Sequence, residues 1–409
     1  MAPYRILLGV GGGVAAYKTC ELLRLLRESG ADVTVVPTAN ALRFVGTATW
    51  EALSGKPVSA DVFDRVEEVR HVRLGKEADL VIVAPATADL LARAAHGRAD
   101  DLLTSALLTA RCPVVFAPAM HTEMWEHPAT RANVATLRER GGVVVEPASG
   151  RLTGSDTGPG RLPDPSALFV LAAQLLERGA AQPDLRGRRV LVSAGGTREH
   201  LDPVRFLGNS SSGKQGYALA TTAAARGAAV TVVAANVTLP DPVGAVLVRV
   251  GSTAEMYDAM LGEADGADVV VMAAAPADYR PTTTLQHKIK KSGATPPPLE
   301  LVENPDILTA LVSRRADPAQ VLVGFAAETG DSDGDVLDHA RAKLRRKGCD
   351  LLVANDVGGG AVFGSDANRA VILSADGAEV VVPAGSKAAL ADAVWDQVVL
   401  RWRSPAETS

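Results

Sequence analysis

The sequence predicts an α/β protein built from two tandem Rossmann-like three-layer domains, each with a mainly parallel sheet. The first observation is an internal repeat, because residues 30–36 (GADVTVV) return as residues 227–233 (GAAVTVV). A second pair corresponds in the same way: residues 78–84 (ADLVIVA) match residues 267–273 (ADVVVMA). Apolar strands that alternate with helices after glycine-rich turns are typical of β-α-β units around a parallel sheet.

Composition agrees with this fold class and disfavours several kinds of function and location. The chain has 409 residues, more than one core of ~250–300 residues accommodates, so two domains are expected. A formal net charge of -5 and the lack of a basic tail disfavour nucleic acid as a partner. No apolar run approaches the ~20 residues of a membrane span, and a strand predicted at residues 4–10 leaves no room for a secretory leader. The three scattered cysteines fit neither a disulfide framework nor a metal site, so we expect a cytoplasmic protein.

The elements follow the same order in both halves. The first copy has a strand at Tyr4–Val10, a glycine turn at residues 11–13 and a helix at Ala15–Ser29. The second copy has a strand at Val190–Ser193, a glycine turn at residues 195–196 and a helix at Gly216–Arg226. Residues 179–187 follow a predicted helix at Pro165–Arg178 and have linker composition, which predicts domains at 1–178 and 188–409. Ligands in such sheets bind beyond the carboxyl ends of the strands, which selects the loops at 11–13, 84–90, 117–125, 195–197 and 274–280.

One loop gives the strongest indication of the reaction that the protein catalyses. Residues 209–216 (NSSSGKQG) form a hydroxyl-rich turn just before an alanine-rich helix, and such a helix start favours an anion. Residues 288–291 (KIKK) add three lysines within four residues. Together the two segments predict a site for a polyphosphate and a carboxylate, which is the chemistry of a nucleotide-dependent ligase.

In the first half, the glycine turn alone leaves open whether it binds a phosphate or only shapes the chain. Residues 117–125 (APAMHTEMW) could by themselves be ordinary core. With residues 84–89 (APATAD), His71 and residues 158–161 (GPGR), however, residues 4–178 resemble the FMN-dependent cysteine decarboxylases.

That resemblance implies a flavodoxin-like domain whose flavin accepts a hydride equivalent from a C-terminal cysteine, so that the resulting thioaldehyde loses CO2 and the ene-thiol is reduced afterwards. It assigns His71 as the base, although a solvated surface histidine is the alternative reading of this residue. The residues implied to bind FMN are Gly11, Gly12, Gly13, Thr38, Ala84, Thr87 and Met120.

Two positions depart from the pattern of the decarboxylases. The family usually has asparagine where this chain has His121, and an imidazole can donate a similar hydrogen bond to the substrate carboxylate. The family's flap usually carries a cysteine that donates a proton, and Gly154 falls at that position here. We expect the first domain to be active despite both departures.

The second half resembles the phosphopantothenate–cysteine ligases over nearly all of residues 188–400. The resemblance rests on six separated motifs in the right order: residues 192–199, 201–209, 273–280, 304–307, 323–329 and 354–357. Fusion of this half to the flavin half resembles the bifunctional proteins of coenzyme A biosynthesis, which implies a homo-oligomer, a dodecamer by that resemblance.

The ligase resemblance implies a CTP site and a site for an acyl-cytidylate. The residues implied to bind CTP are Met272, Ala273, Ala274, Asp278, Lys288, Pro305, Asp306, Ile307, Leu308, Phe325, Lys343 and Lys347. The residues implied to handle the cytidylate are Asn209, Arg205 and Ala275. Lysines and a divalent ion, Mg²⁺ or Mn²⁺ at Asp278, would offset the charge that builds as pyrophosphate leaves. From the residues alone, Lys343 and Lys347 could equally lie on a solvated helix face, and Asp278 could cap a turn.

The leading hypothesis is therefore a two-step enzyme. Its second domain joins L-cysteine to 4'-phosphopantothenate with CTP, and its first domain decarboxylates the product to 4'-phosphopantetheine. An alternative keeps the ligase and makes the first domain a non-catalytic, flavin-binding oligomerisation module. An NAD(P)-dependent oxidoreductase is disfavoured, since the dinucleotide fingerprint and an acidic ribose partner are both missing.

Overall fold

The computed structural model describes residues 4–60, 69–152, 156–179, 183–290, 298–328, 336–356 and 367–403. The chain divides into two compact units. The first unit comprises Met1–Asp184 and Ala224–Gly227, and the second comprises Leu185–Ala223 and Ala228–Ser409.

The first unit is a five-stranded parallel sheet covered by helices. Its strands are β1 (Arg5–Val10), β2 (Asp32–Pro37), β3 (Leu80–Ala86), β4 (Val114–Pro118) and β5 (Val143–Val144), with a hairpin of β6 (Ala148–Arg151) and β7 (Thr157–Arg161). Its helices are α1 (Ala16–Glu28), α2 (Thr47–Ser54), α3 (Arg70–Glu77), α4 (Ala88–Ala95), α5 (Leu102–Thr109), α6 (Thr122–Glu126), α7 (Pro128–Glu139) and α8 (Pro165–Arg178).

The strand order of this sheet is β2-β1-β3-β4-β5, so the direction of winding reverses between β1 and β3. This is the flavodoxin-like order, in which the ligand crevice lies at the β1/β3 reversal. Strand β3 is buried along its whole length, as expected for a strand with helices on both faces. The loop that follows β1 meets the end of β3 there, because the Gly11 amide donates to the Pro85 carbonyl at 3.0 Å.

The second unit contains a larger, mixed sheet. Its strands are β8 (Arg189–Gly195), β9 (Glu199–His200), β10 (Phe206–Leu207), β11 (Ala229–Ala235), β12 (Ala245–Val250), β13 (Val269–Met272), β14 (Tyr279–Pro281), β15 (Leu301–Glu303), β16 (Val321–Glu328), β17 (Leu351–Asp356), β18 (Ala367–Ser374) and β19 (Glu379–Ser386). Its helices are α9 (Lys214–Ala225), α10 (Thr253–Ala264), α11 (Ile307–Arg314), α12 (Val336–Lys347) and α13 (Lys387–Arg403).

The main sheet has the order β12-β11-β8-β13-β16-β17-β18-β19, with parallel pairing as far as β17. Strands β18 and β19 then pair antiparallel and form one edge. Winding reverses between β8 and β13, where the Gly196–Ala275 bridge joins the two following loops. Two short ribbons, β9–β10 and β14–β15, stand apart from the main sheet.

The predicted fold class is confirmed. The helix predicted at Pro165–Arg178 has those bounds, and α1 is one residue shorter at each end than predicted. Helix α9 begins at Lys214, two residues before the predicted start, because the glycine turn at Gly213 ends the preceding loop earlier. Within the described ranges, no helix is long and apolar enough to cross a lipid bilayer.

Candidate functional site

A cavity of about 590 Å³ opens at the carboxyl edge of the first sheet, within the range of ligand pockets. It is lined by six of the residues predicted for the flavin and its substrate: Gly12, Gly13, Thr38, Thr87, Met120 and His121.

The glycine turn supplies unpaired donors to this cavity. The amides of Gly13 and Ala16 donate within the turn, to the carbonyls of Gly11 and Gly13, both at 3.0 Å. Among the hydrogen bonds recorded for the described residues, none is donated by the amides of Gly12, Val14 or Ala15. Free amides at a helix start form an anion site, so this turn suits a phosphate.

Neighbouring loops are held rigidly around the turn. The Thr38 amide donates to the Val10 carbonyl at 2.9 Å, and the Thr87 hydroxyl caps α4 by accepting from the Leu90 amide at 3.3 Å. The Met120 amide donates to the Gly160 carbonyl at 2.9 Å, which brings the GPGR turn against the loop after β4.

Two of the predicted residues lie beneath the cavity and do not line it. Gly11 is buried, and a side chain there would overlap the Pro85 carbonyl oxygen. Ala84 is also fully buried, and its carbonyl accepts from the Thr19 hydroxyl at 2.8 Å. These residues fix the strand ends that carry the loops.

The two histidines have different surroundings. His121 is exposed at the cavity and precedes α6 as its N-cap residue. His71 lies half-buried at the start of α3, where its carbonyl accepts from the Thr109 hydroxyl at 2.9 Å, and it does not line the cavity within this chain. Gly154, the position of the expected flap cysteine, lies outside the described residues.

Four cations lie around this cavity: Lys18, Arg93, Arg151 and Arg161. Only Arg161 belongs to a motif used in the sequence analysis, the GPGR turn, and none of the four was predicted as a site residue. Arg93 is held by three carboxylates, those of Asp100 at 2.7 Å, Asp101 at 3.0 Å and Asp89 at 3.2 Å. The i, i+4 spacing of Asp89 and Arg93 on one helix was a visible indication of that pairing.

A second cavity, of about 630 Å³, opens at the carboxyl edge of the second sheet. The predicted CTP residues that line it are Met272, Ala274, Asp278, Pro305, Asp306, Ile307, Leu308, Phe325, Lys343 and Lys347. Ala273 and Lys288 do not line it. Glu303, Asn304 and Arg346 do so in addition.

One cation of the second cavity is already paired. The Lys347 ammonium forms an ion pair with Asp306, which also caps α11 by accepting from the Thr309 amide at 3.1 Å. Burial on its own raises the pKa of Asp306, but the hydrogen bonds from Lys347 and Thr309 outweigh it, and the pKa lies below its ordinary value. Lys343 and Lys347 lie on one side of α12, and both line the cavity. They therefore do not lie on a wholly solvated helix face, which was the alternative.

The loop after β13 is held from several sides. The Asn209 amide group donates to the Pro276 carbonyl at 2.8 Å, and the Asn304 amide group donates to the Ala277 carbonyl at 2.9 Å. The backbone amide of Ala275 donates to the Gly195 carbonyl at 2.8 Å. Asn209 and Ala275, both predicted for the cytidylate, therefore meet at the winding reversal of this sheet.

Asp278 is exposed at the cavity. Within the described ranges, no group of three or more His, Cys, Asp or Glu side chains could hold a metal ion. A single carboxylate still fits Mg²⁺ that is bound mainly by substrate phosphates.

Arg205 and Lys288 lie near each other at the edge of the second unit. The Arg205 guanidinium donates to the carbonyl of Ile289, the residue after Lys288, at 3.1 Å. It also pairs with the carboxylate of Asp202 at 3.2 Å, and Asp202 is fully buried. Burial raises the pKa of Asp202, but hydrogen bonds from the amides of Ile289, Val204 and Arg205 outweigh it, and the pKa is lowered.

Comparison with known proteins agrees with this two-part organisation. A family described as Flavoprotein matches residues 1–177, and the DNA/pantothenate metabolism flavoprotein C-terminal domain matches residues 185–401. The chain is 59% identical over 400 residues to the coenzyme A biosynthesis bifunctional protein CoaBC of Mycolicibacterium smegmatis, which covers 96% of this chain and 97% of that protein.

CoaBC of Vibrio vulnificus is 44% identical over 402 residues, which is 97% of this chain and 98% of that protein. A crystal structure of the C-terminal domain of a CoaBC protein is 35% identical, covers 54% of this chain and 99% of that one, and has a TM-score of 0.46. From its identity to these full-length relatives, the chain belongs to the family of bifunctional coenzyme A biosynthesis proteins CoaBC, enzymes that join a flavoprotein decarboxylase domain to a ligase domain.

Proposed function

We propose that the second unit ligates L-cysteine to 4'-phosphopantothenate with CTP, and that the first unit decarboxylates the product to 4'-phosphopantetheine. The observation that supports this most strongly is the cavity of the second unit, which gathers Asp278, Asp306, Lys343 and Lys347 from three separate segments of the chain. Cations and carboxylates around one cavity suit a nucleoside triphosphate and its divalent ion.

The ligation has two chemical steps. The carboxylate of 4'-phosphopantothenate attacks the α-phosphorus of CTP, an O–P bond forms, and pyrophosphate leaves. The cysteine amine then attacks the acyl carbon of the cytidylate, an amide forms, and CMP leaves with the bonding electrons while the amine loses a proton. Lys343 and Lys347 line the cavity and offset the negative charge of the phosphates, since preorganised cations act most strongly where charge develops. Lys288 lies outside the cavity lining and is proposed to reach the phosphates from its exposed segment.

The ion pair with Asp306 holds the Lys347 ammonium in place before nucleotide binds. A triphosphate competes with the Asp306 carboxylate for the same ammonium, and Asp306 then keeps its cap on α11 through Thr309. Asp278 would hold Mg²⁺, or Mn²⁺, together with the phosphates, which fits the preference of Mg²⁺ for one or two carboxylates plus substrate oxygens.

The first cavity fits FMN. Its glycine turn offers the unpaired amides of Gly12, Val14 and Ala15 to the flavin phosphate. Bound there, FMN would supply an acceptor for a hydride equivalent of the cysteine side chain. His121 lines the cavity, which supports its proposed role as a hydrogen-bond donor to the substrate carboxylate, and His71 is the proposed base.

The alternative for this unit is a non-catalytic module that binds flavin and supports oligomerisation. Two observations favour it: His71 does not line the cavity within this chain, and glycine stands at the position of the flap cysteine. The complete glycine turn and the GPGR turn packed on Met120 favour the catalytic reading instead.

We also propose that the protein is a homo-oligomer, a dodecamer by family resemblance, with small molecules as its substrates. Large apolar side chains at the rim of the first cavity are exposed, with Val14 at 71%, Tyr17 at 61% and Met124 at 49%. A patch of this kind is typical of a contact between subunits. Light scattering at micromolar concentration tests this, and a monomer would contradict it.

The function itself is tested with the purified full-length chain. The preparation is expected to be yellow and to release FMN on denaturation. With CTP, Mg²⁺, 4'-phosphopantothenate and cysteine it should release pyrophosphate and then CO2, with 4'-phosphopantetheine identified by mass spectrometry. Pyrophosphate without CO2 would support the non-catalytic module, and the absence of both would refute the proposal.

A further inference from the structure

The carboxylate of Asp202 connects two segments that are far apart in the sequence. Its Oδ1 atom accepts from the backbone amides of Val204 at 2.7 Å and Arg205 at 2.8 Å, which closes a tight turn. Its Oδ2 atom accepts from the Ile289 backbone amide at 3.1 Å and from the Arg205 guanidinium at 3.2 Å. The side chain is 0% exposed, so these four donors replace the water that a free carboxylate would keep.

The segment that Asp202 holds carries Lys288, and the side chains of residues 282–290 are all exposed. Other anchors of this segment lie farther from Lys288: the Thr284 hydroxyl donates to the His200 carbonyl and the Leu285 amide to the Leu201 carbonyl, both at 3.0 Å. Of the anchors recorded in the described part of the chain, the Ile289 amide is nearest to Lys288 in sequence. A cation on an exposed segment acts on a reacting phosphate only if its backbone is fixed.

We propose that Asp202 is a positioning residue of the ligase, whose Oδ2 atom fixes the backbone at Ile289 and so fixes the point from which the long, exposed side chain of Lys288 would reach the reacting phosphate of bound CTP. This inference rests on the proposed ligase function. Asp202 itself touches neither nucleotide nor substrate; it acts through Ile289 and through the Arg205 guanidinium.

The substitution Asp202→Asn separates the two roles of the carboxylate. The asparagine oxygen still accepts from the amides of Val204 and Arg205, so the turn is kept. Its NH2 group replaces Oδ2 and faces the Ile289 amide, and two donors cannot bond each other. The variant is nearly isosteric with the native residue and should fold, yet it lacks the connection to Ile289.

The first measurement is hydrogen exchange of the full-length protein without nucleotide. In Asp202→Asn, exchange in the peptide that contains Ile289 should rise about tenfold or more, as expected for loss of a hydrogen bond to a charged acceptor. Asp317→Asn is the control for removing an aspartate that closes a turn, since the exposed carboxylate of Asp317 accepts from the Ala319 amide at 2.8 Å. Thr284→Val serves as a second variant that frees the far end of the segment and leaves Asp202 intact.

The second measurement separates positioning from general damage. Asp202→Asn should slow CTP-dependent pyrophosphate release about 10²-fold, the effect typical of a misplaced catalytic group, while CTP affinity by equilibrium dialysis stays at the wild-type value. The cavity residues that bind CTP are not touched by this change. Asp317→Asn should match the wild type in both assays.

Unchanged exchange at Ile289 in Asp202→Asn would overturn the connection. Raised exchange with unchanged pyrophosphate release would overturn its role in positioning Lys288, and an equal fall in CTP affinity would show general damage to the site. If the wild type releases no pyrophosphate from CTP, the proposed ligase function fails instead, and the exchange experiment still decides whether Asp202 holds the segment.

Discussion

At the scale of single residues, Asn209 illustrates how one side chain can have two roles. Its amide group donates to the Pro276 carbonyl, so it holds the loop after β13 in addition to its predicted role with the acyl-cytidylate. Asn304 makes a comparable contact with Ala277, one residue farther along the same loop. Substitutions at the two asparagines therefore separate anchoring of the loop from handling of the acyl-cytidylate.

We predict that Asn209→Ala still releases pyrophosphate from CTP but forms the amide about 10²–10³-fold more slowly, because a preorganised donor to the intermediate is lost. Asn304→Ala should instead weaken CTP binding, since Asn304 lines the nucleotide cavity. Rapid-quench analysis of pyrophosphate and amide distinguishes the two. An Asn209→Ala enzyme with the wild-type overall rate would show that this loop has been misassigned.

Lys288 gives a second prediction at this scale. Lys288→Ala should abolish pyrophosphate release, because the cation that is proposed to stabilise the charge on the reacting phosphate is removed. Lys290→Ala is the matched control: it removes an equally exposed lysine two residues away and should retain most of the activity. Equal losses in the two variants would indicate a general electrostatic effect of the segment rather than a specific contact of Lys288.

At the scale of elements, substitutions in the glycine turn before α1 test the flavin site without any assay of turnover. A side chain at Gly12 would overlap Asn40 at its Cβ atom, whereas a side chain at Gly13 would meet Thr87 at 3.7 Å, an ordinary contact. The two neighbouring glycines therefore differ in how much space the folded chain leaves them.

We predict that Gly12→Ala destabilises the first unit by about 1–3 kcal/mol, the usual cost of overpacking, and lowers the amount of FMN that co-purifies. Gly13→Ala should leave the unfolding temperature of the flavin-free protein unchanged. Calorimetry measures the stability of each variant, and the absorbance of released flavin measures its FMN content. A Gly12→Ala protein with full stability and full flavin content would contradict the packing described for this turn.

Local pattern was sufficient to predict most elements, and contacts distant in sequence account for what it missed. Helix α8 was predicted with its observed bounds because its cap residue, Asp164, and the following proline are both readable in the sequence. The pairing of Lys347 with Asp306 spans 41 residues, and that of Ile289 with Asp202 spans 87. No periodicity encodes such contacts, so the buried role of Asp202 emerged only from the folded chain.

At the scale of the whole molecule, the internal repeat predicted two parallel sheets but could not predict how each one ends. Strands β18 and β19 extend the second sheet antiparallel, with no counterpart in the first. The reversal of winding is present in both sheets, and the first cavity opens where it occurs, between β1 and β3. The second cavity opens beside the reversal, since its lining includes residues of β13, β16 and the loop after β13 but none from the loop after β8. Both cavities lie at the carboxyl edge of their sheet, as a general rule of open α/β sheets predicts, so the positions of the sites were more predictable than their detailed contacts.

Each unit has its own buried core, one built around residues such as Val81 and Phe116 and the other around residues such as Val270 and Leu322. We therefore predict that the two reactions can be inactivated separately. His71→Asn should leave pyrophosphate release intact, and 4'-phosphopantothenoylcysteine should accumulate in its place. Lys288→Ala, supplied with that compound, should still form 4'-phosphopantetheine at the wild-type rate.

Mass spectrometry of the products checks both halves of this prediction, and it also resolves the question raised by glycine at position 154. Saturated 4'-phosphopantetheine from the wild type would mean that another proton source replaces the flap cysteine, whereas release of the oxidised ene-thiol would mean that none does. Loss of decarboxylation in Lys288→Ala would contradict the independence of the units, since that substitution lies far along the chain from the flavin cavity and alters none of the residues that line it.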